Sequence, residues 1–400
     1  MKPNGSIAEP TRRESIILIS IVVLTTTMTV IPVWLTGGLS VFMAGDLAFD
    51  ERQLGFGVAG FFVASSLSSV PGGRLAERVG ARASIPVYTS ISALVLIGMS
   101  SAATWSQVSG LLLIGGLVNG MIHPAVNLAL ARQIDARKKG LAFGIKQSAI
   151  PSATLLAGLA VPAIASMSGW RLAFQGASVL AGVLAALAVV VVRSSAMGAR
   201  ARPNRLTMPM RYLVWLTVAA SLGAASGNAM AAFLVPSAVA SGVAPADAGV
   251  ILVIGSIACI IVRVYVGWRA DLRVGGNLKL VGHLLAIGAI GYAVLSFTGA
   301  PSWAVLVGGV LGFSAGWGWA GLFNYAIVTR NADAPATATG IIAVGIFGGA
   351  VYGPALFGLM VTTFSFSAAW LALLAIGSVG AAVTYVTRAR LMSFEATAAP

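Results

Sequence analysis

The stretch Gly72-Gly73-Arg74-Leu75-Ala76-Glu77-Arg78-Val79-Gly80-Ala81-Arg82 lies between two long apolar runs, and Gly267-Trp268-Arg269-Ala270-Asp271-Leu272-Arg273-Val274-Gly275, of the same chemistry, lies between two more. Each sets glycine, a small residue, an acid and basic residues ahead of another glycine. Glycines let two helix ends approach and the chain reverse, while Glu77 or Asp271 can hold basic groups or a helix end across a moving interface. Either stretch alone reads equally well as an ordinary charged turn. The pair, at matching points of two halves, decides the fold.

Working outward, the 400 residues are 58% hydrophobic and 9% charged, with a mean hydropathy of +0.93. Such a chain has too little polar surface to cover a soluble globule, so the bilayer is its solvent. The net charge of +14 sits in short clusters between apolar runs, which reads as membrane topology and not as nucleic-acid binding. Cys259 is the only cysteine and lies in an apolar run, so neither a disulfide nor a thiolate metal site is available. The first apolar run follows Lys2, Arg12 and Arg13, is longer than a signal-peptide core and lacks a clear cleavage site, so it reads as a retained span.

A membrane helix needs about 20 mostly apolar residues. Twelve segments qualify: Ser15 to Val41, Gln53 to Val70, Ile85 to Thr104, Gln107 to Leu130, Leu141 to Met167, Leu172 to Val192, Tyr212 to Ala240, Ala248 to Gly267, Leu278 to Phe297, Trp303 to Val328, Ala336 to Phe364 and Ala368 to Val386. Of 25 basic residues, Arg52 and Arg171 fall on one side and Lys146 and Arg263 within spans; the remaining 21 share the side of both termini, which is therefore expected to be cytoplasmic. The expected organisation is a tail (1–14), a six-helix bundle (15–192), a basic cytoplasmic linker (193–211), a second six-helix bundle (212–387) and a tail (388–400).

The halves look duplicated. Trp hairpins at Trp105 and Trp170 recur at Trp303 and Trp370, separations of 198 and 200 residues, and Gly140 and Gly340 keep the same spacing. Interfacial Trp belts can produce such coincidences; a tandem repeat instead places a binding site between the halves.

Span count, termini, central linker and both glycine-acid loops together resemble the major facilitator superfamily along essentially the whole chain. The resemblance implies an all-α integral membrane fold of twelve transmembrane helices in two pseudo-symmetric six-helix bundles, a secondary transporter working by rocker-switch alternating access, and a monomer. It makes Gly73, Glu77, Arg78, Gly80, Gly267, Asp271 and Arg273 gate residues and not substrate ligands. Span five, from Gly140-Leu-Ala-Phe-Gly144-Ile-Lys146-Gln147 through Pro151 to Gly169-Trp170-Arg171, is similar to one large bacterial branch, which implies the inner membrane. Span four lacks the arginine, and span five the Gly-Pro-x-x-Gly-Gly pattern, of the superfamily's drug-proton antiporters; both departures argue against that activity.

Ionisable groups inside hydrocarbon cost several kcal/mol unless paired or solvated, which makes each a functional candidate. All eleven acids fall in loops, tails or span edges, leaving Lys146, Arg263, His123 and His283 as the titratable groups in the spans besides tyrosines and Cys259. Folding the span four–five hairpin sets Asn127 at the depth of Lys146, with His123 and Asn119 on the same stripe at i, i+4 and i+8. With Gln147 this forms a polar face suited to a carboxylate or similar oxyanion. Alternatively Lys146 snorkels to the headgroups, His123 beside Pro124 bonds a freed carbonyl, and the asparagines join helices. Arg263, one turn before Gly267, reads most economically as snorkelling or paired with a signature-loop acid, hence as a gate residue. Asn228, Trp317, Asn324, Tyr325, Tyr352 and Trp34 are the polar and aromatic candidates for the rest of the cavity wall, packing being the competing reading. Pro32, Pro151, Pro162, Pro236 and Pro354 mark bends, and Gly345, Gly348, Gly349 and Gly353 permit close helix contact.

The leading reading is transport of a small organic anion, a carboxylate above all, by secondary active transport or exchange. No cofactor or metal is implied; the partners are the small-molecule substrate, the bilayer and a coupling proton or counter-substrate. A proton would need His123, a loop-edge acid such as Asp46, or the substrate itself. If Lys146 snorkels, the site is apolar-aromatic and efflux of neutral or amphipathic compounds is the alternative. A membrane-embedded enzyme would need clustered His, Asp, Glu, Cys or Ser at one depth, which the chain lacks. A receptor or scaffold without flux would be expected to carry an appended soluble domain.

Overall fold

The computed structural model describes residues 12–133, 145–192, 206–272, 277–297, 301–331 and 334–398. Gly140, the start of the expected fifth span (141–144), most of the linker (193–205), Arg273 and the side chain of Asp271 lie outside them. The fold is all-α: α1 (Arg12–Leu47), α2 (Glu51–Val79), α3 (Ala81–Ser100), α4 (Trp105–Gln133), α5 (Ala149–Ser168), α6 (Trp170–Val191), α7 (Met210–Ala240), α8 (Pro245–Leu272), α9 (Asn277–Leu295), α10 (Ser302–Ser314), α11 (Ala320–Arg330), α12 (Pro335–Thr363) and α13 (Phe366–Ala398). Among the described residues eleven of these are long and apolar enough to cross a membrane. The expected tenth span is not continuous: it consists of α10 and α11, separated by turns at 315–319.

Helix is the outcome because hydrocarbon offers no partner for backbone N–H and C=O groups. The same constraint explains the threonines of α1: Thr25 donates to the Ile21 carbonyl at 2.7 Å, Thr26 to Val22 at 2.7 Å and Thr27 to Val23 at 2.8 Å. Helices run through Pro32, Pro236 and Pro354, while Pro162 falls in a π-turn at Val161–Ala165 of α5.

Packing repeats across the two halves. In the first, α1 lies on α5 and α6, α2 on α4, and α3 on α4 and α6; in the second, α7 lies on α12 and α13, α8 on α10, and α9 on α10 and α13. The second pair of Trp hairpins, at Trp170 and Trp370, follows the same rule, whereas Trp105 stacks on Phe49 and Trp303 is exposed. The Trp170 indole N–H donates to Asp46 at the end of α1 (2.9 Å), and that of Trp370 to Ser237 near the end of α7 (2.7 Å). Three seams join the halves: α1 with α7, α2 with α12, and α5 with α8.

Glycine sets how close these helices come. A Cβ at Gly345, Gly349 or Gly353 of α12 would stand 2.3, 2.0 and 2.3 Å from the carbonyl oxygens of Thr217, Ser221 and Ala225 on α7, whereas Gly348 faces open space but for the Ser221 hydroxyl at 3.9 Å. Between halves, Gly55 and Gly358 bring α2 against α12, and Gly158 and Gly249 bring α5 against α8. Those contacts lie toward the loops of Arg52 and Arg171, the end opposite the two signature loops. In the first signature loop, Gly72 rather than Gly73 makes the close approach, to Met121 of α4, and Gly80 turns the chain at φ +81°.

Gly349→Val should lower stability, since overpacking a dense contact costs about 1–3 kcal/mol. Gly340→Ala, whose Cβ meets nothing, should leave the melting temperature unchanged or slightly raised. Thermal unfolding of the detergent-purified variants distinguishes the two.

Candidate functional site

The seams converge on an aromatic and cationic centre. Trp34 of α1 is buried, stands edge-on to Trp317 at 5.5 Å and tilts against Phe62 at 5.9 Å. Trp317 sits in the break between α10 and α11, and its ring lies so close to Gly227 of α7 that a Cβ there would overlap it. On the α5–α8 seam Thr154 and Ser256 share a hydrogen bond of 2.8 Å between halves. About two helical turns further toward the signature loops comes Arg263.

Arg263 turns into the protein rather than snorkelling, and its printed bonds among the described residues go to carbonyls. It is buried at 7% exposure; Nη1 donates to the Gln147 carbonyl of the first half (2.5 Å) and Nη2 to the Trp317 carbonyl of the second (2.9 Å), with the guanidinium 5.6 Å from the Trp317 ring. The local sequence explains both acceptors. Pro151 has no N–H to close the helical bond with Gln147, and Trp317 lies in the helix break, so both carbonyls are free of regular helix pairing. Arg263 Nε and Trp34 Nε1 are buried donors without a partner.

Lys146 begins the described part of span five and is buried at 8% exposure. Its ammonium has no hydrogen-bond or carboxylate partner among the described residues, and His123 lies within its electrostatic reach. The rest of the expected stripe divides. Asn119 turns to α2, donating to the Ser65 hydroxyl at 3.1 Å with its carbonyl oxygen buried and unpartnered, because Gly116 and Gly120 press α4 onto α2 there. Asn127 is exposed.

The second-half candidates are dispersed. Asn228 is buried but bonds its own helix at Ala224 (2.7 Å); Tyr352 accepts from Ser221 of α7 at 3.4 Å; Asn324 and Tyr325 are partly buried on α11, Tyr325 against the apolar cluster of that end. Among the gate residues, Glu77 and Arg78 are exposed at the end of α2, and Gly267 meets no neighbour within 4 Å. Asp46, a candidate proton carrier, is held by Arg171 at 2.5 Å and by Trp170, which ties the ends of α1 and α6 together. No group of three or more His, Cys, Asp or Glu among the described residues could hold a metal ion.

Apolar spans in two internally similar halves, with a polar centre on the seams between them, define a multi-pass membrane transporter. The sequence profile of the Major Facilitator Superfamily matches residues 17–354, and the chain belongs to that family of secondary transporters, which are not enzymes. Its fold is similar to a bacterial homologue of the human lysosomal transporter Spinster in an inward-facing, unoccupied conformation, at a TM-score of 0.76 and 13% identity over 96% of this chain and 98% of that one. It is also similar to the nucleoside transporter NupG, at a TM-score of 0.72 and 14% identity over 92% and 99%. Among curated proteins, the voltage-gated purine nucleotide uniporter SLC17A9 of Homo sapiens is 24% identical over 140 residues, 34% of this chain and 32% of that protein's length.

Trp34→Phe keeps an aromatic ring against Trp317 and removes the unpartnered N–H. The protein should stay folded, while apparent affinity for a cargo that accepts this hydrogen bond through a charged group should fall about tenfold, the weight of such a bond. Size-exclusion profile and transport KM check the two halves of this expectation.

Proposed function

We propose that this protein moves a small organic anion, a carboxylate above all, across the bacterial inner membrane by rocker-switch alternating access, with both termini cytoplasmic. The observation that carries the reading is the burial of two cations, Lys146 and Arg263, with no carboxylate beside either among the described residues. A buried charge without a counter-charge is strongly unfavourable, and an anionic cargo removes that cost only while it is bound. Trp34 Nε1 and Arg263 Nε, both unpartnered, are further donors for its oxygens. The cargo named for the human relative, a purine nucleotide, has the same sign of charge.

On this reading Lys146, His123, Gln147, Arg263, Trp34 and Trp317 surround the cargo, with Asn228, Asn324, Tyr325 and Tyr352 as outer wall. Asn119 and Asn127 are supporting positions, and Gly73, Glu77, Arg78, Gly80, Gly267, Asp271 and Arg273 serve the gate. The two six-helix bundles (15–192 and 212–387) move as monomer halves about the linker 193–211. The Gly-x-Lys-Gln pattern of span five supports placing the chain in one large bacterial branch of the family.

Counterflow in proteoliposomes tests the reading with labelled lactate, succinate, benzoate and ATP beside the cationic dye ethidium. Wild type should exchange at least one of the anions saturably; Lys146→Ala should abolish that exchange and Lys146→Arg should retain part of it, both variants remaining folded. Full anion exchange by Lys146→Ala removes the lysine as an essential ligand. Transport of ethidium alone selects instead the efflux of amphipathic compounds through the Trp34–Trp317 aromatic wall.

A further inference from the structure

Arg263 joins two places where helical hydrogen bonding is interrupted, one in each half. Pro151 leaves the Gln147 carbonyl without its i+4 partner, and the turns at 315–319 leave that of Trp317 outside regular helix. The guanidinium supplies a donor to each, so the α5–α8 seam, closed by Gly158 against Gly249 and by Thr154 against Ser256, is closed again at Gln147 and Arg263. A third donor, Nε, is buried and unused.

Resting on the anion reading above, we propose that Arg263 is a cargo-released latch between the halves, and that it makes this protein an obligate exchanger rather than a uniporter. In the empty carrier the guanidinium holds α5 to α8 through the Gln147 carbonyl. An entering carboxylate presents its two oxygens end-on to Nη1 and Nη2, the pair that holds the two carbonyls. Such charge-assisted bonds are roughly twice as strong as a bond between neutral groups and match the guanidinium fork. Nη1 therefore leaves Gln147 and Nη2 leaves Trp317, the seam is freed, and the halves rearrange. Without cargo no equivalent acceptor is offered and the carrier does not reorient. A ligand can drive a switch only through its differing affinity for the two states, and here the difference resides in the two displaced carbonyls, of which Gln147 belongs to the other half.

Pro151→Ala tests the latch without touching the cargo ligands, because the restored N–H competes with Arg263 for the Gln147 carbonyl. The seam is read first in the absence of cargo, from the rate at which N-ethylmaleimide labels Thr154→Cys on a Cys259→Ser background; Thr154 is fully buried against Ser256. Adding Pro151→Ala should speed labelling about tenfold, the factor that about 1.4 kcal/mol makes in a rate. Equal labelling with and without the substitution overturns the latch.

Proteoliposomes loaded with whichever labelled anion of the panel exchanges fastest then give two rates, exchange against the same external anion and net efflux into anion-free buffer. Wild type should exchange at least about tenfold faster than it loses cargo. Pro151→Ala should raise net efflux toward the exchange rate while leaving exchange nearly unchanged, and Arg263→Lys, which keeps the charge but not the fork, should likewise narrow the gap. Equal exchange and net efflux in wild type overturn the proposal. If no anion of the panel exchanges at all, the anion reading fails, and the labelling experiment still decides whether Arg263 holds the seam.

Discussion

Hydrocarbon cannot solvate a polar group, and the whole structure depends on that constraint. It makes every span helical, returns the threonine hydroxyls of α1 to carbonyls one turn back, and makes each interruption of a helix an obligation that another group has to meet. Two interruptions face each other across the α5–α8 seam. A soluble protein would leave such carbonyls to water; here the guanidinium of Arg263 bonds both, which places a permanent positive charge near the middle of the molecule.

The seams show how the halves can be both tightly packed and able to part. Between α7 and α12, and between α2 and α4, glycines bring backbones together along several consecutive turns, Gly345, Gly349 and Gly353 on one side and Gly116 and Gly120 on the other. These contacts lie inside each half and suit rigid bodies. Between the halves, beside the close α2–α12 packing, lie a Thr–Ser hydrogen bond, an arginine on carbonyls and an edge-on Trp pair. Glycine contacts close only the end away from the signature loops.

Much of this was legible in the residues. Span number, the paired glycine-acid loops and the duplicated Trp hairpins reflect strong, local requirements: hydrocarbon thickness, a chain reversal such as that at Gly80, an indole N–H needing an acceptor. The Trp170–Asp46 and Trp370–Ser237 bonds turn a spacing of 200 residues into equivalent contacts at equivalent helix ends. The break in the tenth span was not legible, because no proline marks it; Gly312, Gly316 and Gly318, which fit against Met230, Tyr292 and Val262, look in sequence like any small-residue face. The direction of Arg263 is not legible either, because its distance from Gly267 reports depth and not which seam it faces. Asn119 shares a helical stripe with His123, yet the neighbouring Gly116 and Gly120 commit that part of α4 to α2.

Pro151 and Arg263 would each have been recognisable if considered together. A proline in a buried helix frees a carbonyl four residues back, at Gln147, and a basic residue unaccompanied by any acid in the spans needs an acceptor. In sequence they are more than a hundred positions apart; only the pseudo-symmetric packing of span five against span eight brings them together. That packing also explains why Lys146 matters beside Arg263. One buried cation on two carbonyls is a tolerable structural device, since its donors are largely satisfied. A second, Lys146, with neither acceptor nor counter-charge among the described residues, has no such structural compensation. The two together create a positive field in a region of low dielectric, where attraction for an anion is far stronger than in water. On the proposed anion reading the centre is least stable when empty, which is the condition a binding site needs in order to use its ligand to move the protein.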